Sequence, residues 1–350
     1  MIVSFIYPSS HQRAGGVTML YEFANALARR GHDVHFVHGP KRHERDNRVE
    51  RVEQIPFRFD DAVHHHIVDT LDDPSLPEGD VVFGNGPASL GLPAVIIQGF
   101  RLIGPIWDAM GFRALCPKVC VASWLVDVGR WYGVPEEQLV HIPMGLDHEL
   151  FSVADPPRER DIDVALLYHP NTEKGFAVGQ AALEELLRRR PSTRCVVFSM
   201  AGKPRGLPEA VEVVLDLDQR GLVDEIYNKT RVMVQSSNHE GFGLTPVEAM
   251  ACGAALVSTD CGGSRDYAIH DETALVVPAG DALGIADAVE SLLLDDERRT
   301  ALAAAGERHV RKFNWERTAE LLEGFLERYL ADPPRYQRPP GEDRSAEYVL

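Results

Sequence analysis

Short apolar runs alternate with amphipathic stretches from the first residues of the chain. "IVSFIY" (2–7) is a β-branched and aromatic run that fits a strand buried on both faces. After the polar "PSSHQRAGG", the stretch "VTMLYEFANALARRGH" carries Met19, Leu20, Phe23 and Leu27 at helical spacing and reaches Gly31, a C-cap residue. "DVHFVH" reads as the next strand. "DVVFGNG", "AVIIQGF", "KVCVAS" and "LVHIPMG" follow as further short runs, each ending in small or turn-forming residues. Strands alternating with helical stretches predict a parallel, doubly wound sheet.

The pattern then restarts. "DVALLYHP" predicts a strand and "FAVGQAALEELLRRRP" an amphipathic helix. "TRCVVFSM" and "VEVVLDL" are strands, "LVDEIYNKTRVMVQSS" a helix and a strand, and "GAALVSTD" and "TALVVPAGD" two more strands. "DALGIADAVESLLLDDERRTALAAAGERHV" and "NWERTAELLEGFLERYL" are strongly helical. The polar, proline-bearing stretch from Phe151 to Asp161 is the natural linker. The expected division is an N-terminal Rossmann-like domain over 1–152, a second α/β domain over 153–315, and a C-terminal helix and tail over 316–350 that crosses back to the first. The proline-rich end, "ADPPRYQRPPGEDRSAEYVL", reads as a tail either draped on the surface or disordered. Ligands of open α/β sheets sit beyond the carboxyl ends of the strands, so a central cleft faced by both domains is the expected site.

Composition narrows the classes. With 350 residues, 44% of them hydrophobic, the chain has material for two ordinary cores. Its net charge, 36 − 53 = −17, argues against nucleic-acid binding, which needs a basic footprint. Peripheral membrane contact would need a local patch. No apolar run reaches the ~18–20 residues of a membrane span, and the N-terminus does not read as a signal peptide. Five scattered cysteines fit reduced thiols and a cytoplasmic location.

The chemistry gathers in "SSNHEGFGLTPVEAMACG", Ser236 to Gly253, where Glu240 and Glu248 stand eight residues apart. Thr245, Pro246 and Glu248 fit an N-cap, a first helical proline and a capping box, which explains Glu248 alone. Glu240 and the Gly-Phe-Gly have no such explanation. Glycines let a backbone approach a ligand, and a helix start seats a phosphate. Carboxylates accept hydrogen bonds from sugar hydroxyls. A phosphate seat flanked by two such carboxylates describes a nucleotide-sugar site.

Glu240 to Glu248 is an E-x7-E, and "EGFGLTPVEAMACGAALVSTDCGG" resembles the signature region of retaining glycosyltransferases of family 4, which have the GT-B fold: two Rossmann-like doubly wound parallel-sheet domains facing a central cleft. The resemblance implies transfer of a hexosyl or deoxyhexosyl group from a nucleotide diphosphate sugar to the hydroxyl of a glycan, glycolipid or small-molecule acceptor, without a metal or other cofactor. It implies that Glu240 contacts the donor sugar, that Glu248 binds the ribose, and that Phe242, Gly243, Leu244 and Thr245 meet the donor. It puts Gly15 and Gly16, in "GGVTMLYEFANALARRGHDVHFV", on the donor phosphates. It puts Lys174, in "YHPNTEKGFAVGQAALEEL", on the diphosphate, with a catalytic part shared by Lys174 and Glu240. In the family's picture the reaction is front-face, and the leaving phosphate helps to deprotonate the acceptor.

The sequence departs from the family at several points. His169 stands where an arginine is usual, giving one donor in place of a cationic fork. Gln98 stands where a histidine often faces the reacting sugar; with Arg101 it is expected near sugar or acceptor. Met144 replaces an asparagine, and Ser264-Arg265-Asp266 replaces a proline-glutamate pair; Arg265 reads first as a surface arginine and second as a candidate for the missing cation. The His169, Gln98 and Met144 departures keep open the reading of an inactive carbohydrate-binding relative. A GT-B-fold nucleotide-sugar epimerase is the alternative enzyme reading. The run His64 to His66 reads as irregular, with no other ligand at metal spacing. Asp161/Asp163 and Asp216/Asp218 read as loop caps and Lys41 to Arg51 as a solvated charged loop. The sugar, the base, the acceptor and the oligomeric state are not legible.

Overall fold

A computed structural model describes residues 1–7, 15–39, 49–55, 57–84, 90–100, 105–154 and 160–344, without the side chains of 105–107. Most of Lys41 to Arg51, residues 155–159 of the linker and Arg101 lie outside the described residues. The chain divides into two compact units, one from Met1–Gln98, Ile103–Gly145 and Trp315–Val349, the other from Gly99–Leu102 and Leu146–Asn314.

The first unit runs β1 (Ile2–Tyr7), α1 (Gly15–Arg29), β2 (Asp33–His38), β3 (Val63–Ile67), β4 (Val81–Phe83), β5 (Leu92–Ile97), α2 (Pro105–Arg113), β6 (Lys118–Cys120), α3 (Ser123–Trp131) and β7 (Leu139–His141). Its strands form one parallel sheet in the order β3-β2-β1-β4-β5-β6-β7. The register sets Phe5 between Phe36 and Phe83, and the three rings stack with centroids 6.1 and 5.0 Å apart. Val3 and Phe5 of β1, Val34, Phe36 and Val37 of β2 and all three residues of β4 are buried, as the apolar runs predict.

One expectation is overturned here. His64 to His66 are not irregular: they lie in β3, at the edge of the sheet, with His64 in register with His35 and His65 with Phe36. Three identical polar residues hide the period-2 signal of a strand. The pleat turns His65 toward His38 and Phe59, while His66 faces His35 on the other side.

The second unit continues with β8 (Ile162–Leu167), α4 (Phe176–Arg189), β9 (Cys195–Ser199), β10 (Val211–Leu215), α5 (Gln219–Gly221), β11 (Thr230–Gln235), α6 (Leu244–Ala251), β12 (Ala255–Thr259), β13 (Leu275–Val277), α7 (Ala282–Leu294) and α8 (Asp296–Val310). The parallel order is β10-β9-β8-β11-β12-β13. Val164, Leu166, Val232, Val234 and Val257 form a dry centre, covered by Leu183 and Leu186 of α4 and Ile285 and Val289 of α7. After β8 the chain moves outward to β9 and β10, then returns to lay β11 on the other side of β8. The topological switch point therefore falls between β8 and β11, where doubly wound sheets bind ligands.

The last helix, α9 (Trp315–Ala331), returns to the first unit, and Trp315 meets Phe23 of α1 edge-to-face at 6.0 Å. Of the two readings of the tail, residues up to 344 are draped. Tyr336 is buried, Gly341 N donates to Gly133 O at 2.8 Å, and Gln138 Nε2 donates to Arg338 O at 2.6 Å. No helix among the described residues is long and apolar enough to cross a membrane.

Candidate functional site

Two turns meet at the switch point. The first follows β8: Asn171 accepts from Glu173 N at 3.0 Å, closing a 3-10 turn over Thr172–Lys174 that leads through Gly175 into α4. Gly175 has φ +59°, and a Cβ there would run into the carbonyl of Ser236. Only glycine permits both the left-handed backbone and that approach. The second turn follows β11 and is tied to the first by its backbone, with Asn238 N donating to Glu173 O at 2.8 Å.

This docking brings Lys174 to Glu240. Lys174 Nζ donates to both carboxylate oxygens, at 2.9 and 2.7 Å, and Ser237 Oγ donates to one of them at 2.8 Å. Glu240 N donates to Cys261 O at 2.9 Å, which anchors the residue to the loop after β12. The Glu240 side chain is 9% exposed and that of Lys174 29%. Glu240 thus has structural partners that its sequence surroundings did not disclose. The pair is dry enough for strong electrostatics yet reachable through the lysine.

The start of α6 corrects the capping reading. The helix begins at Leu244, its N-cap is Gly243 with φ +92°, and no side chain caps it. Thr245 and Glu248 are therefore inside the helix and form no capping box. The reason is steric: a Cβ at Gly243 would press on the Tyr267 hydroxyl at 2.6 Å, so a glycine turns the chain here and the helix starts two residues early. The first-turn N–H groups of such a helix have no helical acceptors and carry its positive dipole end. Phe242, expected among the donor contacts, is turned inward, its ring against Tyr267 at 5.6 Å and Phe313 at 5.2 Å.

Glu248 accepts from the Tyr227 hydroxyl at 2.7 Å. Burial pushes its carboxyl up to about 7, against the hydrogen bond from Tyr227, which lowers it. Arg160 fixes the other end of α6, donating to Cys252 O at 2.6 Å and to Thr230 O at 2.6 Å. Tyr227 and Ser237 are the hydrogen-bond partners of these carboxylates that the sequence alone does not point to. Ser237 lies inside the stretch that drew attention, but Tyr227 carries no local signal, because only the meeting of its turn with α6 makes it a neighbour of Glu248.

His169, at the end of β8, accepts from Asn171 N through Nδ1 at 3.0 Å. Burial first, and the Lys174 charge second, lower its pKa, with Glu240 opposing. A neutral ring whose Nδ1 accepts carries its proton on Nε2, so it offers one uncharged donor beside Lys174. Arg265 does not replace the missing arginine, since it forks onto Asp260 at 2.8 and 2.9 Å. Three of the four paired aspartates are engaged too: Asp218 accepts from Gly221 N, Asp163 from Arg194 N, and Asp161 pairs with Arg194. Among the described residues, no three His, Cys, Asp or Glu side chains are placed to hold a metal ion.

In the first unit, Gly15 and Gly16 open α1, and a side chain at Gly16 would collide with Gln98 Oε1. The structure thus brings Gly16 and Gln98 together, as it does His169, Lys174 and Glu240. Glu248 belongs to a separate contact with Tyr227, and Arg101 lies outside the described residues.

The chain is similar to known proteins in part of its sequence and in its fold. Residues 170–309, which hold Lys174, Glu240 and Glu248, match the family described as Glycosyl transferases group 1. A D-inositol 3-phosphate glycosyltransferase of Xylanimonas cellulosilytica is 29% identical over 221 residues, covering 56% of this chain and 52% of the relative. A phosphatidyl-myo-inositol mannosyltransferase of Mycolicibacterium smegmatis is 30% identical over 186 residues, covering 50% of this chain and 48% of the relative. The chain thus spans about half the length of the curated relatives it matches. Among solved structures, a sucrose-phosphate synthase of Thermosynechococcus elongatus superimposes with a TM-score of 0.72 over 94% of this chain and 99% of that one, at 17% identity. Anabaena HepE, solved in complex with UDP and glucose, does so with a TM-score of 0.70 over 94% and 100%, at 13% identity. At these identities the likeness is one of fold, and that fold is GT-B.

Proposed function

We propose that the chain is a retaining glycosyltransferase that moves a hexosyl or deoxyhexosyl group from a nucleotide diphosphate sugar to an acceptor hydroxyl. The observation that carries this reading is the Lys174–Glu240 pair at the switch point of the second unit, within the segment that matches group 1. As the glycosidic bond breaks, negative charge builds on the leaving diphosphate. Lys174 and the first-turn N–H groups of α6 meet that charge. Glu240 accepts from the donor sugar hydroxyls and Glu248 from the ribose. The acceptor oxygen attacks the face that the diphosphate leaves, and its proton passes to a phosphate oxygen, so the anomeric configuration is kept without a protein nucleophile.

The relatives named as glycosyltransferases, and the neighbour solved with UDP and glucose, support a nucleotide-sugar donor. Donor contacts by Gly15, Gly16 and His169, sugar or acceptor contacts by Gln98 and Arg101, independence of metal ions and a cytoplasmic location belong to the same reading.

The purified chain, in EDTA, is offered UDP-, GDP- and ADP-sugars, and nucleotide release and product anomeric configuration are followed. The expected result is slow nucleotide release from one donor class, with the sugar passed to water and set free in the anomeric configuration of the donor. If no donor is bound or turned over, and Glu240→Ala and Lys174→Ala match the wild type, the reading is wrong.

A further inference from the structure

Beside Lys174 and Glu240 lies a second pair that the proposed chemistry does not use. His239 Nδ1 is 2.6 Å from Glu173 Oε2. A carboxylate only accepts, so Nδ1 carries the proton. The two pairs join the same two turns: adjacent Glu173 and Lys174 meet adjacent His239 and Glu240, each 66 positions further on. The backbone follows the same path, with Asn238 N and His239 N donating to Glu173 O at 2.8 and 3.3 Å. Glu173 is therefore held by His239 through both its carbonyl and its carboxylate.

The consequence is one of charge. Lys174 has two carboxylates nearby in the chain or in space, its own neighbour Glu173 and its partner Glu240. The attraction of an ammonium for a carboxylate at a half-buried site is strong, and it does not discriminate between the two. His239 occupies Glu173 and removes it from the competition. We propose that His239 is a positioning residue of the donor site: by holding Glu173 it leaves the Lys174 ammonium to Glu240 and to the diphosphate. This rests on the transferase reading and adds to it a residue that touches neither donor nor reacting atoms.

Three variants test it: His239→Leu, His239→Asn, and His239→Leu combined with Glu173→Gln. Binding of UDP, GDP and ADP is measured by calorimetry, and nucleotide release from UDP-glucose, GDP-mannose and ADP-glucose is followed. His239→Leu frees a charged rival for Lys174; kcat is expected to fall about tenfold or more, while donor KM moves by less than about threefold. Asparagine puts an N–H near the place of Nδ1 and is expected to restore most of the rate. The double variant is expected to restore it as well, because glutamine is neutral and does not compete. A role in stability alone would lower the melting temperature and leave this pattern unseen.

Wild-type kcat in His239→Leu overturns the proposal, and so does a loss that persists in both His239→Asn and the double variant. If His239→Leu does not fold, Glu173→Gln alone decides: turnover at the wild-type level supports the proposal, and a loss of about tenfold overturns it. Wild-type turnover with these contrasts absent sinks the positioning role and leaves the transferase reading standing. A wild type that binds none of the three diphosphates and releases none sinks both.

Discussion

The ammonium of Lys174 lies 2.9 and 2.7 Å from the two carboxylate oxygens of Glu240, across the junction of two neighbouring strands. The residues meet because β8 and β11 run in parallel register, Val164 beside Val232 and Leu166 beside Val234, so the turns after the two strands emerge side by side. A cation and a carboxylate fixed in this way are chemistry in reserve, because either can exchange its partner for a phosphate or a hydroxyl.

Replacing Glu240 by glutamine keeps the shape and removes the charge. Donor turnover is expected to fall by roughly 10²-fold or more, the scale of losing one aligned polar group at a developing charge. Circular dichroism should remain that of the folded protein, since Ser237 and the backbone bond to Cys261 still hold the turn. Turnover within about twofold of wild type would remove Glu240 from the donor site.

Gly175→Ala tests the docking of the two turns. The substitution sets a Cβ against the Ser236 carbonyl and imposes a left-handed backbone on alanine. A loss of about 1–3 kcal/mol is expected in urea unfolding. Turnover should fall further than stability does, because Lys174 precedes this glycine and moves with it.

Glu248 ties stability to pH. Its folded pKa, about 7, is above the ordinary 4.5. Between those values the folded protein keeps a proton that the unfolded chain has lost. The stabilisation is therefore full below about pH 4.5 and is lost as pH rises through 7, by at most about 3 kcal/mol. Glu248→Gln should flatten this slope in urea melts at about pH 5 and about pH 8, and an unchanged slope would clear the residue. Binding should run the other way. The ionised carboxylate is the better acceptor for two ribose hydroxyls, so nucleoside diphosphate affinity is expected to rise from about pH 6 to about pH 8. Tyr227→Phe removes the bond that lowers the pKa, and should move the midpoint higher.

His38 and His65 give an opposite slope in the first unit. Their rings hydrogen-bond at 2.9 Å between Nε2 and Nδ1. Burial chiefly, with the neighbouring imidazoles adding, lowers His38 to about 3 and His65 to about 4. With folded values below the ordinary 6.5, the stabilisation is full above that pH and is lost as pH falls toward 4. The loss should be on the order of 3 kcal/mol in total, since the two rings share one bond and His65 keeps some solvent. Thermal melts from about pH 7.5 to about pH 4.5 should show a shallower loss in the His38→Gln, His65→Gln double variant. Parallel curves would assign the acid sensitivity to other groups.

Much of the fold was legible because its signals are local. Apolar runs such as "IVSFIY" and "DVALLYHP" mark strands buried on both faces, and they recur as β1 and β8. β3 was not legible, since the alternation that marks a strand vanishes when three successive positions are histidine. The helix after the glutamate turn was predicted, but its first residue was set by the fit of Gly243 under Tyr267, a contact between segments far apart in sequence. Glu240 was found from its odd surroundings, whereas its partners Lys174 and Ser237 needed the sheet order to join them.

The sequence by itself determined the two parallel α/β units, the glycine-framed turn and the residue types at the site, because periodicity, turn chemistry and spacing act within a few residues of one another. Only the tertiary structure decided which charges neutralise which. It sent Lys174 to Glu240, Glu173 to His239, Arg265 to Asp260 and Glu248 to Tyr227. A side chain's electrostatic partner is chosen by distance in space, and that distance is set by strand order and by which turns a glycine allows to touch.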